Sequence, residues 1–84
     1  MIKVCVAGAG FYAQFQLSAW ARIPDVVLVG IADLDSAKAA AAVSQWPQVK
    51  VFKDVHEMVV QCTPDMLDIV TPEATHLALV QQFA

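Results

Sequence analysis

Apolar and polar positions change period several times along this chain. Ile2 to Ala7 is a short run rich in β-branched residues, with Lys3 as its only charge, and it reads as a central strand. From Phe11 to Arg22 the apolar positions shift to helical spacing. Ala13, Leu17 and Trp20 fall at i, i+4 and i+7, so they share a face that belongs on a sheet. Pro24 disfavours a helical Ile23 and ends that helix. Val26 to Ala32 is then seven residues with no charge and no alternation, the pattern of a strand covered on both faces in a parallel sheet.

The second half repeats the rhythm. Asp35 or Ser36 can cap an alanine-rich helix from Ala37 to Trp46, which Pro47 stops. Val49 to Phe52 is a short third strand. Asp54 caps a brief helix running to Val60, with Val55 and Val59 as its apolar pair. Pro64-Asp65 is turn chemistry, and Met66 to Val70 is a fourth strand interrupted by Asp68. Thr71-Pro72 closes it, and Glu73 to Ala84 is expected to be helical, with Leu77, Val80 and Phe83 on one side. Strands alternating with helices in this way predict an α/β fold: an open, doubly wound parallel sheet, Rossmann-like but incomplete, in strand order 3-2-1-4. Its ligand crevice should lie at the carboxyl ends of the strands, near the first.

Composition narrows the function. Eighty-four residues make one domain, and a chain of that size buries only about 60% of its unfolded surface. The hydrophobic share of 58% suits strands covered on both sides, and the net charge of -3 provides no basic footprint for nucleic acid. No apolar run reaches the roughly 18 residues of a spanning helix, so no membrane partner is expected. Met1-Ile2-Lys3-Val4 leads straight into a strand and does not resemble a signal peptide. Cys5 and Cys62 form no CxxC pair and read as reduced, buried thiols in a cytoplasmic protein. The outer edge of the fourth strand would present unpaired N–H and C=O groups, so self-association through that edge is expected.

Candidate chemistry begins where the first strand ends. Gly8-x-Gly10-x-x-Ala13 has the spacing of a dinucleotide fingerprint with alanine as its third small residue. Gly8 permits a sharp reversal, Gly10 lets backbone approach a pyrophosphate, and Ala13 keeps the new helix near the sheet. The helix N-terminus offers N–H groups and partial positive charge to an anion. Small residues at this spacing also occur in ordinary turns. Asp33 stands at the end of the second strand, 20 positions past Ala13. A carboxylate there accepts hydrogen bonds from both hydroxyls of an adenosine ribose and repels a 2′-phosphate, which favours NAD over NADP. The competing reading is a solvated loop aspartate or a helix cap, a role Asp35 could also fill. Thr71, Pro72 and His76 follow the fourth strand, beside the crevice where a nicotinamide would lie. His76 is placed in the first turns of the last helix, facing the cofactor or packing locally.

Other groups carry less. His56 and His76 with Asp54, Glu57 or Asp68 match no tight ligand spacing, so no metal is expected. Cys5 lies inside a strand and should be inert. Asp65 reads as a turn residue, and Asp68 as a residue near the sheet edge. Trp20 and Trp46 read as packing, and Lys50, Lys53, Asp54 and Glu57 as a solvated surface.

Gly8-Ala9-Gly10, Ala32-Asp33-Leu34-Asp35, the segment Asp54 to Met58, and Asp65 to Pro72 with His76 together resemble the N-terminal domain of Gfo/Idh/MocA oxidoreductases. The resemblance runs from Ile2 to the last residue. It implies hydride transfer between NAD(P) and a sugar, polyol or related hydroxyl substrate. It also implies a cofactor site made of Gly8, Ala9, Gly10, Phe11, Tyr12, Asp33, Thr71, Pro72 and His76. Within that set Gly10, Phe11 and Tyr12 would give backbone contacts to the pyrophosphate. Phe11 replaces what is often a basic residue, Gln16 stands where histidine is frequent, and Ala13 where glycine is. The family's Glu-Lys-Pro strand and C-terminal substrate domain are not among these residues. Residues 1–84 are therefore read as the N-terminal part of an NAD(P)-binding Rossmann domain with no catalytic residue of its own. The alternative is a truncated nucleotide-binding module without catalysis. A weaker one is a Rossmann-like fold for adenosine or S-adenosylmethionine.

Overall fold

A computed structural model describes residues 1–10, 13–70 and 75–79, the last stretch as backbone. In chain order the elements are β1 (Ile2–Ala7), α1 (Ala13–Ala21), β2 (Val26–Ala32), α2 (Ser36–Ala42), β3 (Lys50–Phe52), α3 (Val55–Cys62), β4 (Met66–Val70) and β5 (Thr75–Leu79). They form one sheet in the order β3-β2-β1-β4-β5. The first four strands are parallel, in the order expected, and β5 runs antiparallel to β4.

Both faces of the sheet are covered, which is why β1 and β2 carry continuous apolar runs. Val4 and Val6 of β1 pack with Leu17 of α1 and Ala39 of α2 on one side. Cys5 packs with Ala32 and Met58 of α3 on the other. Ala13 and Leu17 of α1 are fully buried, and Trp20 packs against the same cluster, as the helical spacing required. β2 departs from simple alternation. Val4 pairs with Leu28 but Cys5 with Gly30, so one extra residue is accommodated between them. This bulge puts Leu28 and Ile31, three apart, in the same core cluster. Gly30 belongs there for a second reason. A Cβ on it would lie 3.0 Å from the Cys62 sulfur, 3.1 Å from Met58 Cγ and 3.2 Å from the Cys5 sulfur.

Helix ends follow local chemistry. Asp35, not Ser36, caps α2 by accepting from the Lys38 N–H at 3.1 Å. α2 stops at Ala42 rather than Trp46. Val43 already leaves helical geometry, and 43–46 continue as hydrogen-bonded turns. Asp54 caps α3, which ends at Thr63 in the left-handed region with φ 46°. The buried residue of α3 is Met58, while Val55 is exposed. The face is therefore centred one position away from the expected Val55 and Val59 pair.

The expected helix from Glu73 to Ala84 is corrected. Thr75–Leu79 is a strand, in register from Val70↔Thr75 to Met66↔Leu79; residues 71–74 and 80–84 lie outside the described residues. Thr75, Leu77 and Leu79 alternate at strand period, while Leu77, Val80 and Phe83 have helical spacing. The open edge of β4 offers a row of hydrogen-bonding groups that an adjoining helix leaves unpaired. With β4 paired on both sides, its outer edge no longer supplies the route to self-association. Asp68, expected near that edge, is interior and only 1% exposed.

Candidate dinucleotide site

The turn after β1 is held from three directions. Gly8 N–H donates to Ala32 O of β2 at 2.8 Å. Gly8 has φ +103°, and a Cβ on it would stand 2.5 Å from the carbonyl oxygen of Val70 at the end of β4. Positive φ and close approach of another backbone both require glycine here. Ala9 N–H donates to Asp33 Oδ2 at 2.8 Å. Gly10 O accepts from Ala13 N–H at 3.0 Å, which starts α1. Gly10 differs from Gly8: among the described residues, nothing lies within 4 Å of where its Cβ would project. Among the described residues the second glycine thus borders open space, as it must if its backbone is to come close to a ligand.

Asp33 is fixed with equal care. Its N–H donates to Phe52 O of β3 at 3.0 Å. Its Oδ1 accepts from Asp35 N–H at 2.8 Å while its Oδ2 takes Ala9. The Asp35 N–H holds the Asp33 carboxyl below the usual carboxylate range; partial burial opposes this, and Ala9 N–H and the Lys38 charge add to it. Asp33 therefore carries a full negative charge at the carboxyl end of β2. Because Asp35 caps α2, Asp33 is not the cap. A cavity of about 390 Å³ opens at Ala9 and Gly10 and runs between α1 and α2, past Gln14, Ser18, Lys38 and Trp46. Asp33 does not line it, so the cavity adjoins the turn only.

Of the residues singled out in the sequence, the structure brings together Gly8, Ala9, Gly10 and Asp33. Phe11, Tyr12, Thr71 and Pro72 lie outside the described residues. His76 is in β5 opposite Ile69, not in a helix.

Two features escaped sequence reading. Asp68 Oδ2 accepts from both Gln16 Nε2 and Trp20 Nε1, each at 2.8 Å. This ties β4 to α1, the helix that starts at the turn. Gln16 and Trp20 at i and i+4 were the available sign, but nothing local named their acceptor. The second is the thiol pair facing Gly30. Burial, then the neighbouring Cys62 thiol, pushes Cys5 up to about 12, so Cys5 stays a neutral thiol at ordinary pH. Cys5 is fully buried and Cys62 half-buried. Under native conditions at pH 8 a thiol reagent should label Cys62 at least tenfold faster than Cys5, and both equally in denaturant. Peptide mapping by mass spectrometry checks this, and equal native rates would contradict the packing.

An oxidoreductase family with an NAD-binding Rossmann fold, GFO_IDH_MocA, matches residues 2–84. The chain belongs to this family. As a GFO_IDH_MocA chain it is 29% identical over 79 residues to a D-apiose dehydrogenase of Paraburkholderia graminis, covering 94% of this chain and 21% of that protein. It superimposes with a TM-score of 0.75 and 25% identity on scyllo-inositol dehydrogenase of Lactobacillus casei bound to NAD(H) and scyllo-inositol, covering 86% of this chain and 22% of the other. The WlbA dehydrogenase of Chromobacterium violaceum, with NADH and UDP-GlcNAcA, gives the same TM-score of 0.75 and 25% identity, over 84% and 21%. The chain thus spans about a fifth of the length of these relatives. Among the described residues, no helix is long and apolar enough to cross a membrane.

Proposed function

We propose that residues 1–84 bind NAD as the cofactor-holding part of an oxidoreductase acting on a hydroxyl of a sugar, polyol or related compound. The hydrogen bond between Asp33 Oδ2 and Ala9 N–H carries this reading. It holds the carboxylate read as the ribose acceptor against the turn read as the phosphate-binding one, which supports assigning both to a single ligand. The residues present fit the cofactor. Among the described residues Gly10 leaves open the space a Cβ would fill, and α1 starts at Ala13. Asp33 stands ionised at the strand end, where it would accept the ribose hydroxyls and repel a 2′-phosphate. NAD supplies the hydride chemistry; this chain binds and orients it. Phe11 and Tyr12 would add backbone contacts to the pyrophosphate, and Thr71, Pro72 and His76 would border the nicotinamide.

No residue here is assigned to catalysis. The lysines are Lys3, Lys38, Lys50 and Lys53, and none stands in a Glu-Lys-Pro segment. The substrate chemistry is proposed from the dehydrogenase relatives. A cytoplasmic location fits two free thiols and is part of the same proposal. Self-association also belongs here: with β4 covered, a second copy pairing edge to edge would meet β5.

Calorimetric titration of the chain with NADH and NADPH tests the reading. NADH should bind saturably and at least tenfold more tightly than NADPH. Equal affinities would remove Asp33 from its ribose role, and no binding by a folded chain would remove the cofactor.

A further inference from the structure

We propose that Asp33 is a positioning residue for the phosphate turn as well as the ribose acceptor, so that one carboxylate governs both halves of the adenosine diphosphate site. This rests on the NAD reading above. Ala9 lies between Gly8 and Gly10, the two positions in the turn with least steric restraint. A turn so built loses backbone order easily, and a ligand must then restore it at a cost in affinity. The Asp33 carboxylate removes that freedom in advance. One oxygen takes Ala9 N–H and the other Asp35 N–H, each at 2.8 Å, while the Asp33 backbone is bonded to β3. The brace therefore runs from β3 through Asp33 to the middle of the turn. Each carboxylate oxygen has a second lone pair, so the protein bonds leave acceptor capacity for two ribose hydroxyls.

The two-oxygen arrangement determines what substitution does. An asparagine has one oxygen and one NH2, so either Ala9 or Asp35 N–H would face a donor. A serine has a single short hydroxyl that cannot span both N–H groups. If Asp33 acted on the ribose alone, Asp33→Ser would relax rejection of the 2′-phosphate and move preference toward NADPH. If it also braces the turn, the same change loosens the backbone that both cofactors share.

The test compares the wild-type chain with Asp33→Ser and Asp33→Asn. NADH and NADPH are titrated calorimetrically, and amide hydrogen exchange is followed by NMR without ligand. The expected result is NADH at least tenfold weaker in both variants, NADPH no tighter than to wild type, and Ala9 exchange at least tenfold faster. The acceleration should be confined to Ala9 and Asp35, leaving the β1 amides Val4 to Val6 unchanged, which separates bracing from general loss of stability. In the wild type, the Ala9 and Asp35 amide protons should also titrate together with a midpoint below the 3.8 of an unperturbed Asp. An unchanged Ala9 exchange rate in Asp33→Ser, or NADPH binding it more tightly than wild type, overturns the proposal. If the wild type binds neither nucleotide, the NAD reading fails separately, and the exchange rate alone decides the brace.

Discussion

Gly8→Ala should cost about 2–6 kcal/mol of folding stability. Two independent penalties meet at this residue. Its φ of +103° is a conformation L side chains rarely adopt, and holding one there costs of order 1–3 kcal/mol. Its Cβ would lie 2.5 Å from Val70 O. That oxygen is backbone, at the end of a strand bonded on both sides, so relief requires moving β4; overpacking of this kind costs about 1–3 kcal/mol more. A domain of this size is stable by roughly 4–12 kcal/mol, so the loss is a large share of the total and should lower the urea midpoint markedly. Urea denaturation followed by circular dichroism reads the effect. Gly10→Ala is the control, since its methyl meets nothing within 4 Å among the described residues. It should keep the wild-type midpoint while placing a methyl where the proposed site would take the pyrophosphate. A wild-type midpoint for Gly8→Ala would contradict the turn geometry.

Asp68→Ala should cost about 3–5 kcal/mol, because it strands two donors at once. Gln16 Nε2 and Trp20 Nε1 both end on Oδ2, and each such part-buried bond to a carboxylate is worth about 1.5–3 kcal/mol. Asp68→Asn should cost less than about 1.5 kcal/mol, since an amide oxygen in the Oδ2 position still accepts from both. The contrast with Asp33 is instructive. There each oxygen serves a different N–H, and asparagine cannot replace it. Trp20 fluorescence gives a local readout, with the indole emission moving to the red in Asp68→Ala as α1 loosens. Equal stability of Asp68→Ala and Asp68→Asn would show that the two donors find other acceptors.

These two residues mark how far the sequence could be read. β2 and β4 have the expected bounds, and the order of the four parallel strands follows from the βα alternation. Gly8, Gly10 and Asp33 were legible because each obeys a local rule: a reversal, an open approach, a charge at a strand end. Asp68 was not, because a charge inside a short strand suggests an exposed edge. Its donors lie 48 and 52 residues away, and only the packing of α1 across β4 brings them in. The bulge in β2 was hidden in an unbroken apolar run; Gly30 was its one sign. The C-terminal segment fits helix and strand locally, and the open edge of β4, a tertiary fact, favours the strand.

The central claim is that the glycine turn and Asp33 form one cofactor site. An NMR titration of the isotope-labelled chain with NADH tests it most directly. The account predicts saturable shifts, with a single affinity, at the amides of Ala9, Gly10, Asp33 and Asp35, and little change at Ser44 to Trp46, at the far end of the α1–α2 cavity. Shifts concentrated at Ser44 to Trp46 with Ala9 and Asp33 unmoved, or no saturable shift in a folded chain, would contradict it.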